Sequence, residues 1–163
     1  MKQLVLAFSI AAALVLANTS APAPTPALPS LNSAGPFLIA EIQDKLDGRW
    51  DRAWSSLAAL HQRVAPRQVY VRCERSTPFL AQTLRLGVVS ARRALVRVPG
   101  LTRRMPGAAV KLRVALSWYG PRDPIVITPT LHLVALDGKW RWLLSQQRYR
   151  LYQRAKCGSL PPV

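Results

Sequence analysis

Carboxylates, histidines and cysteines are all scarce in this chain. Seven Asp and Glu and two His stand among 163 residues, against 23 Lys and Arg. Cysteine occurs twice, at Cys73 and Cys157. No C-x-x-C is present, which removes the usual dithiol redox motif. Two cysteines do not make a structural zinc site, which takes four ligands. No glycine-rich phosphate loop occurs, and no Ser-His-Asp or Cys-His arrangement is defensible. No metal and no cofactor is expected. No apolar run reaches the roughly 20 residues that span a bilayer.

What is present begins with a leader-like start. Lys2 precedes an uncharged apolar run, Leu4 to Leu16. Its length and flanks fit a secretory signal peptide, with cleavage expected after Ala17. Uncleaved, the same run would tether the chain to a membrane. Either outcome places the folded part outside the cytoplasm, secreted or extracytoplasmic. Residues 18–36 follow as a linker. From Ala21 to Pro36 five of sixteen residues are proline and none is charged. Such composition favours extended, solvated chain. The folded domain is expected over 37–157, with a short tail at 158–163. In an exported chain the two cysteines read as one disulfide, Cys73–Cys157. Closing that loop is worth at most about 4–5 kcal/mol in the chain-entropy view.

The formal net charge is +16. A field of that size attracts polyanions. Outside a cell these are acidic surface polymers and anionic lipids. An exported chain is a poor candidate for specific nucleic-acid binding. Arginine supplies 18 of the 23 basic residues, which a G+C-rich coding sequence also produces, so a merely solvated basic surface stays open.

The first third of the domain reads as helix. Leu38, Ile42 and Leu46 share a face, with Glu41, Asp44 and Lys45 on the polar side and Gly48 as a stop. Trp50, Trp54, Leu57 and His61 predict a second helix, with Asp51 at its positive end. A third runs from Pro66 to Glu74 and turns Cys73 inward. The remainder reads as strand. Thr83 to Val98 is apolar at even positions. Ala109 to Tyr119 alternates, with Val110, Leu112, Val114, Leu116 and Trp118 inward and Lys111 and Arg113 outward. Pro129 interrupts the third stretch. Asp137-Gly138 signals a hairpin. The last stretch, Lys139 to about Lys156, is expected to be a bulged strand, because its apolar parity shifts from even to odd near Ser145–Gln147. The fold class expected is α+β: N-terminal helices on a curved antiparallel sheet of about four long strands.

A first helix, then "LDGRWDRAW", a short helix ending "YVRCE", long strands and a closing "DGKWRWLL" resemble the nuclear transport factor 2-like superfamily, in its small exported bacterial form. The resemblance covers about Phe37 to Cys157. It implies a cone-shaped α+β domain. Members include ketosteroid isomerase-like enzymes, cyclases and dehydratases, and also non-enzymatic binding domains. The enzymes place a carboxylate or histidine inside the cone. This chain departs from the larger enzymes in lacking an early hairpin before its long strands. A cystatin-like inhibitor is another α+β form, but "QTLRLG" sets Gly87 one residue late for the Q-x-V-x-G signature.

The candidate chemistry is thin. Glu41, Asp44, Asp47, Asp51 and Glu74 fall on or between early helices, mostly on polar faces. Asp123 and Asp137 fall in turns. No predicted strand interior carries an acid, so no catalytic residue is assigned. His132 is expected to face outward from its strand, and His61 to close a helix. The tryptophans, including those of "KWRW", read first as core packing, with stacking on a ligand as the alternative. The expected function is an exported, non-enzymatic binding or accessory domain at the cell envelope. Its partner would be an envelope protein or small ligand, or anionic polymers or lipids. Binding would use the cone mouth or a basic outer sheet face carrying Arg93, Arg97, Lys111, Arg113 and Arg141. An isomerase- or cyclase-like enzyme acting on a small apolar molecule is the alternative.

Overall fold

The computed structural model describes residues 27–76, 83–117, 124–154 and 156–157. The expected leader at 1–17, residues 18–26 of the linker, the tail at 158–163, Trp118 and Asp123 lie outside the described residues. After a short 3-10 helix, Leu31–Ser33, come α1 (Ala34–Leu46), α2 (Trp50–Ser56), α3 (Ala59–Val64) and α4 (Arg67–Arg75). Then follow β1 (Thr83–Arg97), β2 (Arg104–Ser117), β3 (Ile125–Ile127), β4 (Thr130–Leu136), β5 (Lys139–Arg141) and α5 (Gln146–Gln153). The strands form one antiparallel sheet ordered β1-β2-β4-β5, with β3 also paired to β2. Helices followed by an antiparallel sheet is the α+β class the sequence implies.

The described fold begins before residue 37. α1 starts at Ala34, inside the stretch read as linker, and Ala34 and Gly35 are buried. A Cβ at Gly35 would lie 2.6 Å from Val88 Cγ2, so glycine is what lets α1 approach β1. Gly48 follows the end of α1 in the left-handed conformation (φ +70°), as its sequence position implies.

The second helix is shorter than its stripe predicts. α2 stops at Ser56, and Leu57 is extended. Trp142 N–H donates to Ser56 O at 2.9 Å and Ala58 N–H to Trp142 O at 3.0 Å. The backbone at 56–58 thus exchanges helical bonds for a parallel bridge to Trp142. Ser56 Oγ also lies 2.8 Å from Ala53 O, a local side-chain contact of the kind that makes serine a poor interior helix residue. A separate short helix, α3, then carries His61.

In β1 the even-numbered apolar residues do not share one face. A bulge between Val88 and Ser90 shifts the register. Before it, Leu86 pairs with Val114; after it, Val96 pairs with Met105. Directly paired residues share a face, so Leu86 joins the α1 side and Val96 the other. The sheet is therefore covered along its α1 face and, on the other face, at the end that holds Val96, Val98 and Val134. Ala108, Val110, Leu112, Leu133 and Trp140 pack with Leu38 of α1. Val96, Val98 and Val134 pack with Ala58, Leu60 and Leu143 behind the sheet. Leu38, Leu57, Leu112 and Leu133 are fully buried, each contributing roughly 1.5–3 kcal/mol of apolar burial.

The expected long final strand is corrected. β5 is three residues, and Gln146–Gln153 is helix α5. Ser145 caps it, accepting from Arg148 N–H at 3.2 Å. Tyr149 and Tyr152 are its buried residues, three apart on one face. The parity shift was a change of period from 2 to 3.6, not a bulge. The turn at Asp137 and Gly138 has positive φ at both positions, as a tight two-residue hairpin needs. Pro129 separates β3 from β4, where the sequence marks an interruption. Cys73 of α4 is disulfide-bonded to Cys157, with Cα atoms 4.9 Å apart. The bond ties α4 to the chain just beyond α5, and such bonds persist in oxidising compartments. Among the described residues no helix is long and apolar enough to cross a membrane.

Candidate functional site

His61 is fully buried and occupied on both nitrogens. Nδ1 accepts from Leu144 N–H at 2.9 Å. Nε2 lies 3.1 Å from Pro99 O. An accepting Nδ1 and a donating Nε2 describe one neutral tautomer. Burial holds the imidazole below its usual pKa, opposed by the Pro99 carbonyl. The ring lies 5.2 Å from that of Tyr149. His61 is thus a bridge joining α3, the β1–β2 loop and the approach to α5. The sequence placed it at a helix end as a tolerated cation; the structure makes it interior and neutral.

The helix carboxylates also differ from expectation. Glu41, Asp44 and Glu74 are buried. Ser56 Oγ donates to Glu41 Oε2, and Lys45 Nζ lies 3.7 Å from Oε1. Lys45 in turn sits 4.0 Å above the Trp142 ring. Burial raises the Glu41 carboxyl, against Lys45 and Ser56, and pulls the Lys45 ammonium down to about 7, against Glu41. Nearby, Arg148 pairs with Glu74, and Tyr152 OH donates to the same carboxylate at 2.9 Å. Burial pushes the Tyr152 phenol up to about 12. Tyr70 stacks on Tyr152 at 5.9 Å, and burial raises its phenol well above its usual range. Among the described residues, Glu41 Oε1 and Tyr70 OH are buried without a hydrogen-bond partner. Arg148 belongs to α5, so the sequence reading of that segment as strand concealed this network.

Five of the described acids, Glu41, Asp44, Asp47, Asp51 and Glu74, are in ion pairs among the helices. The β1–β2 hairpin, 83–117, contains no acid at all. Its register sorts the cations. Arg85 pairs with Ala115, Arg92 with Ala109, Ser90 with Lys111 and Gly87 with Arg113. Arg85, Arg92, Lys111 and Arg113 therefore share the face opposite α1, and all four are exposed. Neighbours two apart along a strand sit about 7 Å from one another. Thr130 and His132, both exposed, border them through Lys111 and Ala109. This is an open, acid-free cationic array.

The five basic residues expected on one outer face divide. Lys111 and Arg113 are in the array. Arg141 lies on the same face but is half-buried and donates to Ser55 O at 3.2 Å. Arg93 and Arg97 pair with Ala108 and Arg104 and so fall on the α1 side, because the bulge reverses parity. Arg93 donates to Pro29 O at 2.6 Å and lies 5.4 Å from the Trp140 ring. Arg85 and Arg92 were missed; the bulge that moves Arg92 into the array leaves no mark in the alternation.

The tryptophans of "KWRW" pack inward. Trp140 is buried and donates to Ser30 O; Trp142 packs between two core clusters. Trp54 donates to Ala65 O at 2.8 Å. A shallow cleft of about 440 Å³ on α5 is lined by Gln146, Gln147, Arg150, Leu151 and Arg154, and no acid or histidine is among them. Among the described residues no group of three His, Cys, Asp or Glu could hold a metal ion. No known family model, no curated protein and no solved structure matches this chain.

Proposed function

We infer that this chain is an exported, disulfide-bonded binding domain of the cell envelope, built as a nuclear transport factor 2-like cone and acting without catalysis. The observation that supports the binding role is the segregation of charge. Five of the six described acids are consumed in ion pairs among the helices, while Arg85, Arg92, Lys111 and Arg113 form an exposed cationic array. Cations spaced about 7 Å apart along a rigid strand, as Lys111 and Arg113 are, suit a flexible acidic polymer, whose charges repeat at similar or shorter intervals. The geometry asks only for repeated negative charge, so recognition is of class rather than sequence. The disulfide supports an oxidising location. The probe is inorganic polyphosphate bound to the full chain. With four contacts, affinity should fall roughly fifty-fold between about 50 and 200 mM salt. Salt-independent binding, or none, would reject this reading.

A second reading rests on a separate observation. Among the described residues, Glu41 Oε1 and Tyr70 OH are buried without a hydrogen bond, Oε1 facing only the Lys45 ammonium at 3.7 Å, and a carboxylate raised by burial suits proton abstraction. An isomerase- or cyclase-like enzyme acting on a small apolar molecule would use Glu41 as its base. Deuterium exchange into an enolisable apolar ketone, lost in Glu41→Gln, would support it. Equal exchange in both proteins would remove it.

A further inference from the structure

We propose that the end of the sheet nearest the N-terminal segment docks on an anionic lipid bilayer. This surface is separate from the outer array and does not depend on it. Leu95 is 66% exposed and Leu28 51% exposed. Both flank the hydrogen bond from Arg93 to Pro29 O: Leu28 precedes Pro29, and Leu95 follows Arg93 by two residues on the same strand face. Arg97 lies directly opposite Arg104 across the hairpin, and Arg103 adjoins it. Like charges paired across strands repel. Among the described residues neither Arg97 nor Arg104 has an acidic partner in an ion pair. An external anion would relieve that repulsion.

The arrangement selects a lipid surface over a soluble polymer for two reasons. An exposed leucine between arginines gains free energy only where apolar matter adjoins negative charge, which is the headgroup–acyl boundary of an anionic bilayer. The Pro-rich segment also joins the fold here. Ala27 O lies 3.6 Å from where a Cβ on Gly138 would stand, and Trp140 holds Ser30. The apolar run Leu4–Leu16 lies upstream of this point, so a chain tethered by it would present this end to the membrane first.

The test is flotation of the full chain with vesicles of phosphatidylglycerol in phosphatidylcholine. Pure phosphatidylcholine vesicles supply the baseline from the N-terminal apolar run. The quantity measured is the increment due to anionic lipid. Arg97→Gln with Arg104→Gln should reduce it roughly twenty-five-fold, about five-fold per cation. Leu95→Ser should reduce it about tenfold and leave binding to inorganic polyphosphate unchanged. Leu95 is exposed, so its substitution spares the core; near-ultraviolet circular dichroism checks that the fold is retained. Parent-like anionic increments in both variants would overturn the proposal. It is equally overturned if Leu95→Ser is silent while the arginine variant loses vesicles and polyphosphate alike, which would mark a soluble-anion site. Loss of polyphosphate binding on changing Arg85, Arg92, Lys111 and Arg113, with vesicle binding retained, separates this surface from the outer array.

Discussion

Replacing His61 with leucine should destabilise the domain by about 2–5 kcal/mol. The side chain keeps its bulk, but Leu144 N–H and Pro99 O lose their partners. Each buried backbone group left unsatisfied costs roughly 1–3 kcal/mol. The Leu144 contact is interior, since His61 is fully buried and Leu144 is 3% exposed, while Pro99 is half-buried and its carbonyl contributes the smaller share. Asparagine reproduces the acceptor at Nδ1 and should restore Leu144 alone. Glutamine can place its amide near Nε2 and should restore Pro99 alone. Both variants should fall between parent and leucine. The pH dependence is a second readout. Burial lowers the folded imidazole's pKa, while the unfolded one titrates near 6.5. Above about 6.5 both states are neutral and the contribution is complete. Below it the unfolded state binds a proton the folded state refuses, so stability falls with falling pH until the folded imidazole itself protonates. The slope approaches about 1.4 kcal/mol per pH unit. Urea unfolding of parent and His61→Leu from pH 7.5 to 5 measures both effects, and their difference isolates the imidazole from the carboxylates. A leucine variant within 1 kcal/mol of the parent, with an unchanged pH profile, would refute the neutral bridge.

Three further outcomes are expected. Replacing Cys73 and Cys157 with serine should cost up to about 4–5 kcal/mol, because the bond closes a separation of 84 residues; chemical denaturation against the oxidised parent measures it. Glu74→Ala leaves the Arg148 charge without its carboxylate and should cost about 3–5 kcal/mol, whereas Glu74→Gln, keeping an acceptor for Tyr152, should cost less; thermal unfolding ranks the two. Gly107→Ala should destabilise by about 3 kcal/mol or more, because a Cβ there would lie 2.1 Å from Leu133 O and 2.7 Å from Val96 Cγ2; a variant as stable as the parent would contradict the close β2–β4 packing.

The sequence carried the fold class well where a single period governed a segment. The α1 stripe, the alternation of β2 from Ala109 on and the Asp137-Gly138 turn all keep the form that local chemistry dictates. It failed where tertiary contacts overrode or disguised the period. Ser56 and Leu57 leave the helix because Trp142 offers backbone bonds. Tyr149 and Tyr152, three apart, look like a strand with a parity slip unless Ser145 is recognised as a cap. Val88–Ser90 hides its bulge because both halves of β1 keep apolar residues at even numbers. The functional consequences follow from these misreadings. Glu74 could not be seen as buried while Arg148 was assigned to a strand. Arg92 could not be placed beside Lys111 while β1 was taken as regular, and for the same reason Arg93 and Arg97 were assigned to the wrong face. The pairing of Cys73 with Cys157 was legible because two cysteines allow only one pairing.

The most direct measurement compares two variants that lose equal charge from different faces. In one, Arg85, Arg92, Lys111 and Arg113 become glutamine. In the other, the exposed cations Arg63, Arg72, Arg75 and Arg150 become glutamine. Affinity for inorganic polyphosphate is titrated at one fixed salt concentration. If the acid-free sheet face is the binding surface, the first variant should lose affinity by about tenfold or more while the second stays near the parent. Equal losses in both would show that only net charge matters, and would contradict a binding role for the sheet.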